Sequence, residues 1–253
     1  MGQLRDNLRA LPRNLARSFL RDGLPGTDKE RMRFVLSSLV LHIHPARVHP
    51  HTLRWWYTLG LGLLSFFLLV LLTISGVILM IYYVPSVAEA YPRMQDLASV
   101  VPGGRVLRNL HRWTAHAMVV AVMLHMARVF YTGAYKPPRE ANWLAGVGLL
   151  VLTFALAFTG YLLPWDQLGY WAAVIGANIA GSPTEVTEAL GVTGDPGGAV
   201  RGLLLGGRDL GADALNRFYM LHCVVLPALI AALVGFHFFR VRKDGGLSRP
   251  GKD

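Results

Sequence analysis

The chain has 253 residues, 25 Lys and Arg against 15 Asp and Glu, a formal net charge of +10 and 53% hydrophobic residues, at a mean hydropathy of +0.39. A basic balance suits nucleic acid or an anionic membrane surface, but segments 55–88, 141–165 and 218–239 carry no formal charge, nor does a shorter one at 113–127. Since ~20 apolar residues cross a hydrocarbon core, this pattern argues against a soluble nucleic-acid-binding domain, and the lone Cys223 excludes an intrachain disulfide framework, a CxxC metal site and a CxxCH haem attachment.

In chain order, segment 1–54 is polar and basic, and its first 33 residues lack the apolar core of a secretory signal. Leu4, Leu8, Leu11, Leu15, Phe19 and Leu20 recur at helical spacing, with Arg5, Arg9, Arg13, Arg17 and Arg21 on the other faces. That pattern fits an amphipathic helix on a membrane surface and, equally, a solvated helix docked on a soluble partner. A first membrane helix, A, is predicted from about Trp56 to Tyr83, ending before Pro85, followed by a polar segment. Helix B follows from about Leu110 to Tyr131, then a short loop over 133–142 containing Pro137 and Pro138. Helix C runs from about Trp143 to Leu163 and ends at Pro164. The long segment 164–217 is rich in Gly and acidic residues, with room for short helices. Helix D runs from about Phe218 to Phe239, with a kink expected at Pro227, and a basic tail closes the sequence. The expected organisation is an all-α, integral membrane four-helix bundle over 55–240, flanked by a basic extension (1–54) and a basic tail (241–253). Aromatic residues such as Trp55, Trp56, Tyr57, Tyr82 and Tyr83 cluster at its rims, as an interfacial belt does.

Charge orients this bundle. Segment 1–54, loop 132–142 and tail 240–253 hold 17 Lys and Arg on one side; segments 84–110 and 164–217 hold 6 on the other, with 8 acids. The positive-inside rule then puts both termini in the cytoplasm and segment 164–217 outside.

Four of the nine histidines lie inside these helices in a matched pattern. His111 and His125 are 14 residues apart on helix B, which places them on nearly one face about 21 Å apart along the axis. His222 and His237, 15 apart on helix D, are ~22 Å apart and roughly 60° out of phase, an offset that a kink at Pro227 would partly absorb. The chain direction puts His111 and His222 near the outer side and His125 and His237 near the cytoplasmic side. Two such pairs, stacked across a bilayer, suit the axial positions of two haem irons; a single intramembrane His does as well bridging two helices by a hydrogen bond. His116 has no counterpart on helix D and reads as interfacial or structural.

Glycines share the 14-residue period: Gly62 and Gly76 on helix A, Gly146 and Gly160 on helix C. A flat macrocycle between helices needs positions without a Cβ, although small residues also serve ordinary helix packing. Arg108, Arg112, Arg128, Arg240 and Arg242 sit where propionates would emerge, or where arginines merely snorkel.

The segments NLHRWTAH (109–116), LHMARVFYTGAYKPPRE (124–140), TGYLLPWDQLGYWA (159–172) and RFYMLHCVVLP (217–227) resemble the N-terminal half of the cytochrome b family over roughly residues 50–243. The 15-residue histidine spacing on helix D and the sequence PWDQ, where mitochondrial-type members usually have PWGQ, favour the cytochrome b6 type. The resemblance implies two b haems, an outer one on His111 and His222 and a cytoplasmic-side one on His125 and His237. It further implies a bacterial bc1/b6f-like quinol oxidoreductase in the cytoplasmic membrane, with quinol oxidised outside and quinone reduced near the cytoplasmic face. Trp165, Asp166, Tyr170 and Trp171 would border the outer quinone pocket, or belong to the aromatic belt. The family's PEWY motif is absent, so a subunit-IV-like membrane protein bearing it is expected. The other implied partners are a Rieske iron–sulfur protein and a cytochrome c-type subunit, in a dimeric complex. The cytochrome b6 cysteine that binds an additional haem covalently aligns with Gly60, so no covalent c-type haem is expected. His42, His44, His49 and His51 leave a metal site open beside an interface loop. Two other classes compete: a dihaem anchor linking a dehydrogenase to the quinone pool, and a non-redox helical scaffold or transporter.

Overall fold

The computed structural model of the chain describes residues 26–37, 50, 54–137, 139–182, 194–207 and 209–244, and among these there is no strand. The expected amphipathic helix at 4–20, His42, His44, His49 and His51 all lie outside the described residues, as does the tail beyond residue 244. Two compact units divide the chain, 55–237 and 1–54 together with 238–253.

In the larger unit, a four-residue turn of helix α2 (Trp55–Thr58) precedes α3 (Leu61–Met80), and α4 (Ala90–Ser99) precedes α5 (Gly104–Tyr131). Then come α6 (Glu140–Leu162), α7 (Gln167–Gly181), α8 (Pro196–Leu205) and α9 (Ala212–Met220). A π turn, Leu221–Val225, joins α9 to α10 (Leu226–Lys243), whose last residues belong to the smaller unit. Four runs are long and apolar enough to cross a membrane: α3, α5, α6 and the continuous run Ala212–Lys243. They leave large apolar side chains uncovered, Leu63 at 75% and Ile81 just past α3 at 75%. At about 25 cal/mol per Å² this surface is costly in water and costs nothing against lipid tails. Hydroxyls within the spans bond back to the preceding turn, Ser65 to the Leu61 carbonyl at 2.8 Å and Thr153 to Leu149 at 2.8 Å. These hydroxyls are thereby not left to face hydrocarbon alone.

Several boundaries differ from expectation, each for a local reason. Helix A starts at Leu61 rather than Trp56, because Leu59 and Gly60 both take positive φ (52° and 61°) and break the run. Helix B starts at Gly104, six residues early. Gly103 turns the chain at φ 75°, and Gly104 lies so close to the Leu97 carbonyl of α4 that a Cβ would collide with it. The polar segment between helices A and B contains α4, braced by an Arg93–Glu89 pair at 3.0 Å.

Segment 164–217 holds two capped helices. Asp166 accepts from the Gly169 amide at 2.8 Å to start α7, and Asp195 accepts from the Gly198 amide at 2.7 Å to start α8, with Pro196 at its first position. The Arg217 guanidinium donates to the Gly202 and Leu203 carbonyls at the other end of α8. Leu162, Ala173, Ala177, Leu205, Leu210, Ala214 and Phe218 form a core that binds α7 and α8 to the ends of α6 and α9. A second core, Leu68, Met118, Ala121 and Val122, lies between α3 and α5.

Pro227 produces a π turn rather than a simple kink. Proline offers no N–H to the carbonyl four residues back and its ring crowds that carbonyl. The turn before it widens, and the Leu226 amide bonds to Leu221, five residues back.

In the smaller unit, α1 (Asp28–Ser37) opens with a capping box. Glu30 Oε2 accepts from the Gly26 and Thr27 amides at 2.9 and 3.1 Å, while the Glu30 amide donates to Thr27 Oγ1 at 3.3 Å. The pattern TDKE carried this signal in the sequence. The Thr27 and Gly26 amides hold the Glu30 carboxyl below its ordinary range. The cap therefore contributes above the ordinary carboxylate range and is lost as pH falls through the depressed value. We expect the Gly26 and Thr27 amide resonances to shift together on acidification below the ordinary Glu titration, and a Glu30→Gln variant to lose that transition.

Candidate haem-binding site

The four intramembrane histidines and the four periodic glycines meet as pairs. A Cβ built on Gly76 would lie 3.2 Å from His111 Cε1, on Gly62 3.3 Å from His125 Cε1, on Gly160 2.5 Å from His222 Cε1, and on Gly146 3.8 Å from His237 Cε1. Moving 14 residues up α3, from Gly62 to Gly76, moves 14 down α5, from His125 to His111. From Gly146 to Gly160 on α6 is again 14, but His237 to His222 is 15. The π turn, one residue wider than an α turn, takes up the extra residue, so the 60° offset expected of a regular helix does not arise. The glycines thus make room first for the imidazole edges, where the sequence reading had assigned that room to a macrocycle.

Across the bundle, the His111 and His222 rings stand 6.3 Å apart between centroids, inclined at 75°. An iron with an imidazole nitrogen at ~2 Å on each side spaces ring centroids about 6 Å apart. Among the described residues there is no group of three or more His, Cys, Asp or Glu that could hold a metal ion alone. Paired imidazoles without further protein ligands suit an iron whose other four ligands belong to a planar macrocycle. His125 and His237 lie within electrostatic reach of one another, and His237 faces the Asn142 backbone.

Imidazole orientation is fixed at the outer pair. Ser75 Oγ donates to the Leu71 carbonyl at 2.7 Å and lies 2.9 Å from His111 Nδ1. Thr159 Oγ1 donates to the Ala155 carbonyl at 2.8 Å and lies 3.3 Å from His222 Nδ1, which also faces the Leu156 carbonyl at 3.1 Å. Carbonyls only accept, so Nδ1 carries the His222 proton and Nε2 keeps its lone pair for a metal. The sequence reading missed Ser75 and Thr159. Their signal is a hydroxyl residue before the glycine in both Ser75–Gly76 and Thr159–Gly160.

The arginines divide. Arg128, one turn beyond His125, donates through Nε to the Tyr57 carbonyl at 3.2 Å and lies 4.5 Å over the Tyr57 ring. Its Nη2 is buried with no hydrogen-bond partner, so a carboxylate of a bound group fits there. Arg108 is half-buried, three residues before His111, whereas Arg112 is exposed. Arg242 is half-buried in the unit beginning at Phe238, where Arg240 pairs with Asp244 at 3.1 Å. His116 is exposed and meets the Trp113 ring edge at 5.5 Å.

At the α7 end of the spans, Trp165 takes a positive φ of 52° and meets Tyr170 edge-on at 5.7 Å; Tyr170 meets Trp171 at 5.3 Å. Tyr170 and Trp171 border a cleft with Val174, Asn178, Arg201 and Leu205. Asp166 is engaged as the α7 cap. Tyr83 ties this end together, donating to the Leu163 carbonyl at 2.7 Å and stacking on Tyr219 at 5.6 Å.

The glycine clearances grade the consequence of adding a methyl group. Gly160→Ala should displace the His222 imidazole, whereas Gly146→Ala, at ordinary van der Waals clearance, should leave that of His237 in place, as read from the imidazole resonances of the two variants.

A family model described as cytochrome b/b6/petB matches residues 45–245. Cytochrome b6 of Heliobacterium mobile is 41% identical over 229 residues, covering 90% of this chain and 97% of that protein. Cytochrome b6 of Synechococcus elongatus is 41% identical over 213 residues, covering 84% and 93%. A solved structure described as a hyperthermophilic respiratory Complex III superposes at a TM-score of 0.68 and 26% identity, over 96% of this chain and 55% of the other, so this chain spans about half of that one. With the matched pairs of histidine and glycine, these likenesses give the conclusion that the chain belongs to the cytochrome b/b6 family.

Proposed function

We propose that this chain is the b6-type dihaem subunit of a membrane quinol oxidoreductase, moving electrons between an outer quinol-oxidising site and a cytoplasmic-side quinone-reducing site. The observation that carries the reading is the outer histidine pair, 6.3 Å apart between centroids, with each ring seated against a glycine. The matched pair one membrane leaflet away repeats the design. His111 and His222 hold the outer haem and His125 and His237 the inner one. When bound, these haems supply a one-electron relay across the bilayer.

This chain's own residues do the rest. Ser75 and Thr159 hold the Nδ1 protons of the outer imidazoles and leave Nε2 free. Arg128 offers a buried guanidinium N–H to a propionate, and the half-buried Arg108, three residues before His111, stands beside the outer haem. Trp165, Tyr170 and Trp171 wall the quinol side, while Asp166 caps α7 and so sets the angle at which Tyr170 and Trp171 leave the PWDQ turn. Apolar spans around the pairs exclude water.

No PEWY sequence occurs in this chain. The proton-accepting glutamate then comes from a subunit-IV-like membrane partner, with a Rieske protein and a cytochrome c-type subunit accepting the outer electron in a dimeric complex. The charge asymmetry supports a bacterial cytoplasmic membrane with both termini inside. Gly60, at φ 61° with open space about it, replaces the cysteine of covalent attachment.

The test is a reduced-minus-oxidised spectrum of the purified complex. His111→Ala or His222→Ala should remove one b component, His125→Ala or His237→Ala the other. An unchanged spectrum in all four variants would falsify the assignment.

A further inference from the structure

We propose that Tyr83 is a positioning residue for the quinol: its hydroxyl holds the turn Leu163–Trp165 in the shape that aims the aromatic wall at the substrate. This rests on the reading of Trp165, Tyr170 and Trp171 as that wall, and adds the residue on a different span that sets it.

The turn needs a hold from outside. Leu163 closes α6, Pro164 follows, and Trp165 takes a φ of 52°. A bulky side chain keeps that left-handed conformation only where its surroundings impose it. Pro164 has no N–H, so the peptide between Leu163 and Pro164 can be fixed by hydrogen bonding only through the Leu163 carbonyl. The Tyr83 hydroxyl donates to that carbonyl at 2.7 Å. The other bonds of the turn come from within it. The Trp165 amide donates to the Leu162 carbonyl at 2.9 Å, and Asp166 accepts from the Gly169 amide at 2.8 Å. Gly169 sits so close to the end of α6 that a Cβ there would lie 2.5 Å from the Tyr161 carbonyl oxygen.

Tyr83 is itself anchored on two further spans. Its amide donates to the Leu79 carbonyl at 3.1 Å, in the last turn of α3. Its ring stacks on Tyr219 at 5.6 Å between centroids and 24° between planes, and Tyr219 lies on α9, three residues before His222. The hydroxyl thus fixes the turn relative to α3 and to the run that carries a histidine of the pair. Trp165 meets Tyr170 edge-on, and Tyr170 meets Trp171 in the same way. A rotation of the peptide at Leu163 therefore passes straight into the wall.

The experiment is steady-state quinol oxidation by the assembled complex, with a short-chain benzoquinol varied and oxidised cytochrome c as acceptor. Tyr83→Phe keeps the stacked ring and loses the hydroxyl. Its KM for the quinol should rise about three- to tenfold, the scale of one lost hydrogen bond, with kcat within about twofold of the parental value and the b-type bands unaltered. Tyr219→Ala unseats the Tyr83 ring and should move KM in the same direction. A lowered melting temperature with KM unmoved in Tyr83→Phe, or a loss of kcat alone, would overturn the proposal. If Tyr83→Phe does not assemble, an unmoved KM in Tyr219→Ala overturns it. A parental complex that oxidises no quinol overturns the functional reading instead, and this proposal with it.

Discussion

Each of four imidazoles lies edge-on against a glycine of a facing helix, most tightly at Gly160, where a Cβ would lie 2.5 Å from His222 Cε1, and that pairing organises this bundle. It sets the register of α3 against α5 and of α6 against the run through α9 and α10, because the glycines and histidines must meet at two levels at once. Sliding either helix by one residue would rotate its histidines about 100° out of the bundle. The pairing also explains why the π turn at Leu221–Val225 matters. It lets a helix with a 15-residue histidine spacing match partners spaced by 14. Pro227, a destabilising residue in a regular helix, here fixes where the extra residue is absorbed.

Around that frame, chemistry and topology divide between the two ends of the bundle. One end is built by helix caps and a small buried core: Asp166 and Asp195 start α7 and α8, Arg217 closes α8, and Phe218 and Leu162 bury the junction. Tyr83 couples it to the spans, since its hydroxyl donates to the Leu163 carbonyl just past the end of α6. At the other end of the spans Arg128 lies over the Tyr57 ring. The net charge of +10 lies wholly outside the four charge-free stretches of the sequence.

What could be read from sequence alone was what repeats or spans. Four charge-free runs gave the spans, and a shared 14-residue period in His and Gly gave the levels of the two pairs. Boundaries set by backbone conformation were less legible. Gly60 and Gly103 at positive φ moved two helix starts by five and six residues, and no periodicity reports a left-handed residue. α4 escaped notice because its apolar stripe, Ala90, Met94 and Leu97, is only three residues long and is interrupted by charged and proline residues. Ser75 and Thr159 were missed because a hydroxyl in an apolar helix usually serves its own carbonyl ladder, and only the facing histidine reveals the second bond. The pairing of each glycine with one particular histidine needed the helix contacts, since the shared period alone fits room for a macrocycle equally well.

The central claim is that this single chain carries two haems, each held by histidines alone. A pyridine haemochrome assay on the purified complex, with haem normalised to this chain after denaturing extraction, tests it most directly. The account predicts two extractable b haems per chain and no haem left on the denatured polypeptide. One extractable haem, none, or a haem that stays covalently attached to this chain would contradict it.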